Sequence, residues 1–367
     1  MDTDRIAQRF PLVARPRPTC PTLAERIREV SALAEAAHHG GGLSSAATAL
    51  NRAALIASDC GLPGLAQDLC WRHTELHLNA TPLSEQGAKY ALEPLINLAR
   101  LRLRAGDGNG AHKLLTDLTH AVRNKTEVNF NGRTLAFQEL TATREDHQAV
   151  CQWLWTVLLG DGTRALTTAR QWTRAREHVI KHKGVGQRLL DGRQVVIVSH
   201  CLNDDPETAQ RTLDESALND PWETPVAALL AMLCLSTAGK PTRDAENRMI
   251  AQYLALEGDP ELAVFRTRLG LAALNLSHAH RYEVARRLVN DAVHSQDGYV
   301  ARDVLTHATC GQEMTTWEQQ QLNTIVNAAG LDRRSIPPRL ESTLMSAFHH
   351  GALAVMEQHS TAVRPAD

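Results

Sequence analysis

The sequence predicts an all-α chain, a solenoid of stacked helix hairpins with one β-hairpin inserted. The first observation is a repeated unit, a tight turn followed by a helix that opens on alanine. It reads GLPGLA at Gly61–Ala66, GDGNGA at Gly106–Ala111, RQWTRA at Arg170–Ala175, DDPETA at Asp204–Ala209, KPTRDA at Lys240–Ala245 and HRYEVA at His280–Ala285. An apolar residue follows each alanine at helical spacing: Leu69, Leu114, Val179, Leu213, Met249 and Leu288. The second observation is the interval between these alanines, 45, 64, 34, 36 and 40 residues, a range typical of helix-hairpin repeats that bury their apolar faces on one another. A minimal side chain is needed where the two helices of a hairpin touch. The third is composition: aromatic residues make up 4% of the chain, low for a sheet protein and ordinary for alanine-rich helices.

The elements follow in order. Residues 1–21 carry Pro11, Pro16, Pro18 and Pro21 among arginines and read as an extended leader. Thr22 with Glu25 three residues on forms a capping box that opens a helix to about residue 39, and the Gly40–Gly42 run ends it. Helical periodicity covers 43–60, 62–79, 84–105 and 107–123. It breaks at Glu127–Phe137, EVNFNGRTLAF, where residues alternate on both sides of Asn131-Gly132, a strong hairpin signal. A two-residue turn pairs Phe130 with Arg133 and Val128 with Leu135, and puts Val128, Phe130, Leu135 and Phe137 on one face. This insertion, about 127–138, accounts for the 64-residue interval. A lone hairpin is barely stable in water, so it must lie on the helices or on a partner. Helices resume at about 143–159, 163–182, 186–202, 205–217, 221–238, 241–257, 260–278, 281–295, 299–310 and 314–329. The array is expected to be one unit over 22–330, followed by a capping helix at 339–357 after Pro337-Pro338 and a disordered tail at 358–367.

Composition bounds the function. A formal charge of -2 argues against wholesale attraction to nucleic acid or membrane. Lysine is scarce (Lys89, Lys113, Lys125, Lys181, Lys183 and Lys240), so arginine supplies most of the 39 basic residues. The seven cysteines lack CxxC spacing and mostly sit beside Leu, Val or Ala, which reads as reduced, buried thiols in a cytoplasmic protein. The first ten residues have no apolar signal core and no run approaches the length of a membrane span.

The repeat grammar resembles the tetratricopeptide repeat (TPR) family. Leu101-Arg-Leu-Arg-Ala-Gly-Asp-Gly followed by Ala111 and Leu114-Leu115 is similar to that family's helix A–turn–helix B core. So are Ala165-Leu166 through Gln171-Trp172 and Ala175, and Ala272-Ala273-Leu274 through Tyr282 and Ala285. The resemblance covers most of 43–295; the family's tryptophan and closing proline are mostly missing. It implies a right-handed superhelix whose A helices line a concave groove for peptides or proteins. The chain also resembles the sensor half of bacterial peptide-responsive regulators, without a recognisable helix-turn-helix head.

Candidate site residues fall into four groups. Asn51, Asn97 and Gln194 stand 14 or 15 residues before a repeat alanine, at equivalent A-helix positions. In TPR-like grooves, amides there grip an extended peptide backbone, because one amide supplies both donor and acceptor. The densest positive charge lies in 164–193, with Arg164, Arg174, Lys181, Lys183, Arg188 and Arg193. There KGVGQR (Lys183–Arg188) is expected to put a Gly-x-Gly turn at a helix start, a setting for anions. Trp153 and Trp155 flank this zone. The pairs His73/His77 and His178/His182 have i,i+4 metal-chelating spacing but neither HExxH nor an indicated third ligand, so no metal or other cofactor is expected. No G-x-S-x-G, P-loop or recognisable Cys/His pairing is present. The resulting expectation is a non-enzymatic, regulatory or scaffolding protein that binds a peptide or a partner's tail. The alternatives are a binder of a phosphate-bearing ligand or RNA through 164–193, and an enzyme with its site in the helical groove.

Overall fold

The computed structural model describes residues 6–277 and 279–362; leader residues 1–5 and tail residues 363–367 lie outside them. Among the described residues the regular structure is helical apart from one two-stranded antiparallel sheet and two isolated β-bridges, Leu83 with Thr141 and Arg188 with Ala217. None of its helices is long and apolar enough to cross a membrane. Contacts divide the chain into two compact units. One, the hairpin unit, comprises 22–165 and 330–367; the other, the leader unit, comprises 1–21 and 166–329.

The hairpin unit begins with α1 (Leu23–Ala36), opened by the Thr22/Glu25 capping box. After a kink at Ala37–Gly41, where His39 and Gly40 leave helical geometry (Gly40 φ 101°), follow α2 (Gly42–Asp59), α3 (Pro63–Leu78), α4 (Glu85–Arg104) and α5 (Gly108–Asn124). Each helix packs on the next, and α2 also touches α4. Ala66 and Ala111 sit in the first turns of α3 and α5 and are fully buried, as is Leu69. Strands β1 (Glu127–Phe130) and β2 (Arg133–Ala136) pair Val128 with Leu135 and Phe130 with Arg133, the expected register. Asn131 and Gly132 both take positive φ, 51° and 83°, as a hairpin turn matching the strand twist requires. Phe130, Leu135 and Phe137 are buried, and Trp71 of α3 meets Phe130 edge-on at 6.1 Å. Arg133 stacks over Trp71 and pairs with Glu75, while Arg102 donates to Asn131 Oδ1 at 2.7 Å. The hairpin therefore lies on its own helices. Helix α6 (Arg144–Val157) and a π-helical turn (Leu158–Gly162) pack back on α5, and α7 (Thr163–Thr168) follows.

The closing helix of the chain belongs to this unit and packs on α1 and α2. A buried knot ties the segment before it. Asp59, at the end of α2, accepts from Arg26 of α1 and from Arg104 of α4 at 2.6 Å. The adjoining carbonyls of Asp59 and Cys60 accept from the backbone N–H groups of Asp332 (2.8 Å) and Arg334 (2.6 Å). A buried carboxylate is tolerated because it is paired in this way.

In the leader unit, α8 (Trp172–Lys181), α9 (Asp191–Leu202), α10 (Pro206–Asp214), α11 (Glu223–Thr237) and α12 (Arg243–Leu254) pack in sequence. A 3₁₀ turn (Pro260–Leu262) leads into α13 (Ala263–Leu276), then α14 (Arg281–Ser295), α15 (Gly298–Leu305), α16 (Ala308–Glu313) and α17 (Thr316–Ala329). The final helix of the chain, in the hairpin unit, is α18 (Pro338–Ala362). Ala175, Ala209 and Ala285 are fully buried; Ala245 is only half-buried.

Four expected boundaries are corrected. The helix over 163–182 is broken at 169–171, where Arg170 takes φ 58° and the Gln171 N–H returns to Leu166 O. The helix over 186–202 starts only at Asp191. A Cβ on Gly192 would lie 2.2 Å from Gly184 O, so the 184–186 turn is laid against α9 rather than continuing it. The helix over 299–310 is divided at Thr306–His307, where the extended His307 backbone opens α16. Residues 358–362, expected to be disordered, continue α18.

Candidate peptide-binding site

Helix α9 is apolar on several sides, with Val195, Ile197, Val198 and Cys201 all buried. Gln194 is fully buried among them, and an amide in such a place must find partners. It finds them on the leader. Gln194 Oε1 accepts from the Leu12 backbone N–H at 2.7 Å, and Gln194 Nε2 donates to Leu12 O at 2.7 Å. A third bond runs from Nε2 to Leu189 O at 2.7 Å. One side chain thus reads both backbone groups of a single residue, the pairing that a neighbouring strand would make.

The leader is shaped for this. Residues 10–21 carry neither helix nor strand, and prolines at 11, 16, 18 and 21 hold the backbone extended. Ile6, Ala7, Phe10 and Leu12 are buried, whereas residues 15, 16, 18 and 19 are exposed. Arg15 pairs with Asp191 in the first turn of α9. Further along, the Arg17 N–H donates to Glu261 O at 3.0 Å, before α13. The Cys20 N–H donates to Asp297 Oδ2 at 3.0 Å, and Cys20 O accepts from the Gly298 N–H at 2.9 Å, at the start of α15. Asp297 is also the cap of α15, its other oxygen accepting from Tyr299 and Val300. The leader therefore passes the N-terminal ends of α9, α13 and α15 in chain order, its backbone bonded at each.

The other two amides lie in the other unit. Asn51 and Asn97 lie in the hairpin unit and bond to each other, Asn97 Nδ2 donating to Asn51 Oδ1 at 3.1 Å. Asn51 donates to Glu93 Oε2 at 3.0 Å, and Arg100 links Asn97 to Asp161. Burial pushes the Glu93 carboxyl above its ordinary value, against the Arg100 charge and the Asn51 hydrogen bond, which pull it down.

The basic residues are divided between the two units, and several are already engaged. Arg164 lies in the hairpin unit; Arg174, Lys181, Lys183, Arg188 and Arg193 lie in the leader unit. Arg193 is buried and donates to Ser216 Oγ, Gly186 O and Thr212 O. Arg188 pairs with Asp220 and, at 3.1 Å, with the buried Glu223. Burial pushes the Glu223 carboxyl up, but the Asp220 N–H, Arg188 and the Asn219 N–H together hold it below the ordinary range. Arg174 bonds to Gln171, and Lys181 and Lys183 are exposed. Because α9 begins at Asp191, the Gly184–Gly186 turn is not at a helix start, and the Gly184 N–H already caps α8 on Val179 O. That removes the geometric basis of an anion site there. Trp153 and Trp155 are half-buried in the hairpin unit, Trp153 against its core.

The His73 and His77 rings lie 5.3 Å apart on α3, tilted by 51° to each other, and His77 Nδ1 lies 3.1 Å from Nε2 of His359 on α18. The His178 and His182 rings lie 4.6 Å apart, tilted by 50°. Among the described residues, no three His, Cys, Asp or Glu side chains are arranged to hold a metal. Sequence reasoning missed the leader as the segment that Gln194 holds, although its apolar residues Ile6, Ala7, Phe10 and Leu12, set among arginines, were a signal. Compared with known proteins, the chain matches no family model, no curated protein and no solved structure.

Proposed function

We propose that this chain is a non-enzymatic, TPR-like helical-repeat protein whose leader unit holds an extended peptide or a partner's tail, in a regulatory or scaffolding role. The observation that carries the reading is the Gln194 amide closing on both backbone groups of Leu12. Recognition of backbone rather than side chain is how a groove accepts an extended segment, with apolar seats supplying selectivity. Helices that pack mainly on their sequence neighbours, with small residues at the contacts, support a solenoid in each unit. The internal engagement of Arg188 and Arg193 weighs against a phosphate or RNA site at 164–193.

The test is binding of extended peptides to the full-length protein, titrated to millimolar concentration so that the leader is competed out. Oligoribonucleotides and nucleoside triphosphates serve as rival probes. Saturable peptide binding is expected. Retention of RNA with a steep inverse dependence on salt, and of no peptide, would replace the reading.

A further inference from the structure

Resting on the peptide-binding reading, we propose that residues 6–21 are a built-in competitor. They occupy the cradle of the leader unit and give way to a partner's extended segment of the same chemistry, apolar at the position of Leu12 and basic three residues later.

Gln194 sets what the cradle accepts. Its Oε1 accepts from Leu12 N, and two of its three bonds are to that one residue. A buried amide left without its partners is costly, so the cradle requires an extended backbone at this point. Nothing in those two bonds reads the Leu12 side chain, and any extended residue other than proline offers the same N–H and C=O. Selectivity comes from the surroundings. The Leu12 side chain is buried, and Asp191, on the same turn of α9 as Gln194, takes the Arg15 guanidinium. The cradle therefore selects an apolar residue followed, three places later, by a base. That class is cationic and extended, the reverse of the anionic ligand that 164–193 suggests.

The way the leader is held suits exchange. Its backbone is bonded at Leu12, Arg17 and Cys20, while residues 15, 16, 18 and 19 lie at the surface. A tethered segment competes at an effective concentration of the order of millimolar. A partner with equal contacts would be excluded at micromolar levels, and one with better contacts admitted. Occupancy by a partner would free the leader, so binding would be signalled by a change at the N-terminal end of the chain.

The experiment uses the full-length protein and a fluorescent synthetic peptide of residues 6–21. Leu12→Asp places a charge in the buried seat, and Arg15→Glu sets like charges together at an exposed pair, which leaves folding intact. The peptide should bind Leu12→Asp at least tenfold more tightly than wild type, and Arg15→Glu severalfold more tightly. Amide exchange at Leu12 should quicken in Arg15→Glu. If both variants keep their helical circular dichroism and bind the peptide no better than wild type, the proposal is overturned. If Leu12→Asp does not fold, Arg15→Glu alone decides on the same criterion. A dimer that reverses on dilution and takes up no free peptide would also overturn it, by giving the cradle to a second copy. Other peptides binding wild type and both variants alike would sink the competitor and leave the peptide-binding reading standing. No peptide binding to any form would sink both.

Discussion

At the scale of single residues, the repeat alanines make the sharpest claim. Ala111 and Ala285 are fully buried where two helices meet, and Ala245, in the same position of its repeat, is half-buried. Overpacking a filled contact costs about 1–3 kcal/mol, so Ala111→Leu and Ala285→Leu should each lower stability by that amount in urea titrations. Ala245→Leu should cost distinctly less. Equal effects at all three positions would show that burial at the hairpin contact is not what selects alanine. The histidines on α3 make a second claim, about pH. Burial, and after it the neighbouring His359, pushes His77 down from 6.5 to about 3; burial and then His77 push His73 well below its ordinary value. The folded state therefore keeps these rings neutral while the unfolded chain takes up protons below about 6.5. By linkage, stability is complete above that value and is lost as pH falls toward 3. The urea midpoint should drop across pH 6.5–4, and His77→Phe should flatten the drop. An unchanged slope would mean that these rings are protonated in the fold. Such burial was not visible in the i,i+4 spacing, which reads equally well as a chelate; the partner, His359, lies 282 residues away.

At the scale of elements, local rules and tertiary contacts divide the work. The hairpin was legible because Asn131-Gly132 requires two left-handed residues in a row and the alternation around it sets register. The breaks at 169–171 and at Thr306–His307 were not, since apolar periodicity runs through them and only the observed geometry interrupts it. The late start of α9 likewise follows from Gly184 lying against Gly192, a close approach that no periodicity encodes. The hairpin also had an ambiguity, a seat on the helices or on a partner. With Phe130 and Phe137 buried and Trp71 edge-on, its apolar face is used internally. Phe130→Ala should cost about 3–5 kcal/mol and leave peptide affinity in the leader unit unchanged. A loss of affinity without a loss of stability would return the hairpin to the binding surface.

At the scale of the whole molecule, the chain consists of two units, each assembled from stretches far apart in sequence. The leader belongs with 166–329, and α18 belongs with 22–165. Neither return was readable from the sequence. Repeat grammar describes nearest neighbours, whereas Gln194 reaches back 182 residues to Leu12. That Gln194 stands at a repeat-equivalent position was legible; that it holds the leader's own backbone was not, because prolines among arginines look the same whether free or bound. The central claim is that Gln194 recognises an extended backbone. Its most direct test is the affinity of the 6–21 peptide for Leu12→Asp and for Leu12→Asp/Gln194→Leu, a background in which the leader does not compete. Removing a buried amide's hydrogen bonds costs about 1–3 kcal/mol, so the double variant should bind the peptide about 5- to 150-fold more weakly at unchanged helical content. Equal affinity for the two proteins would contradict the account.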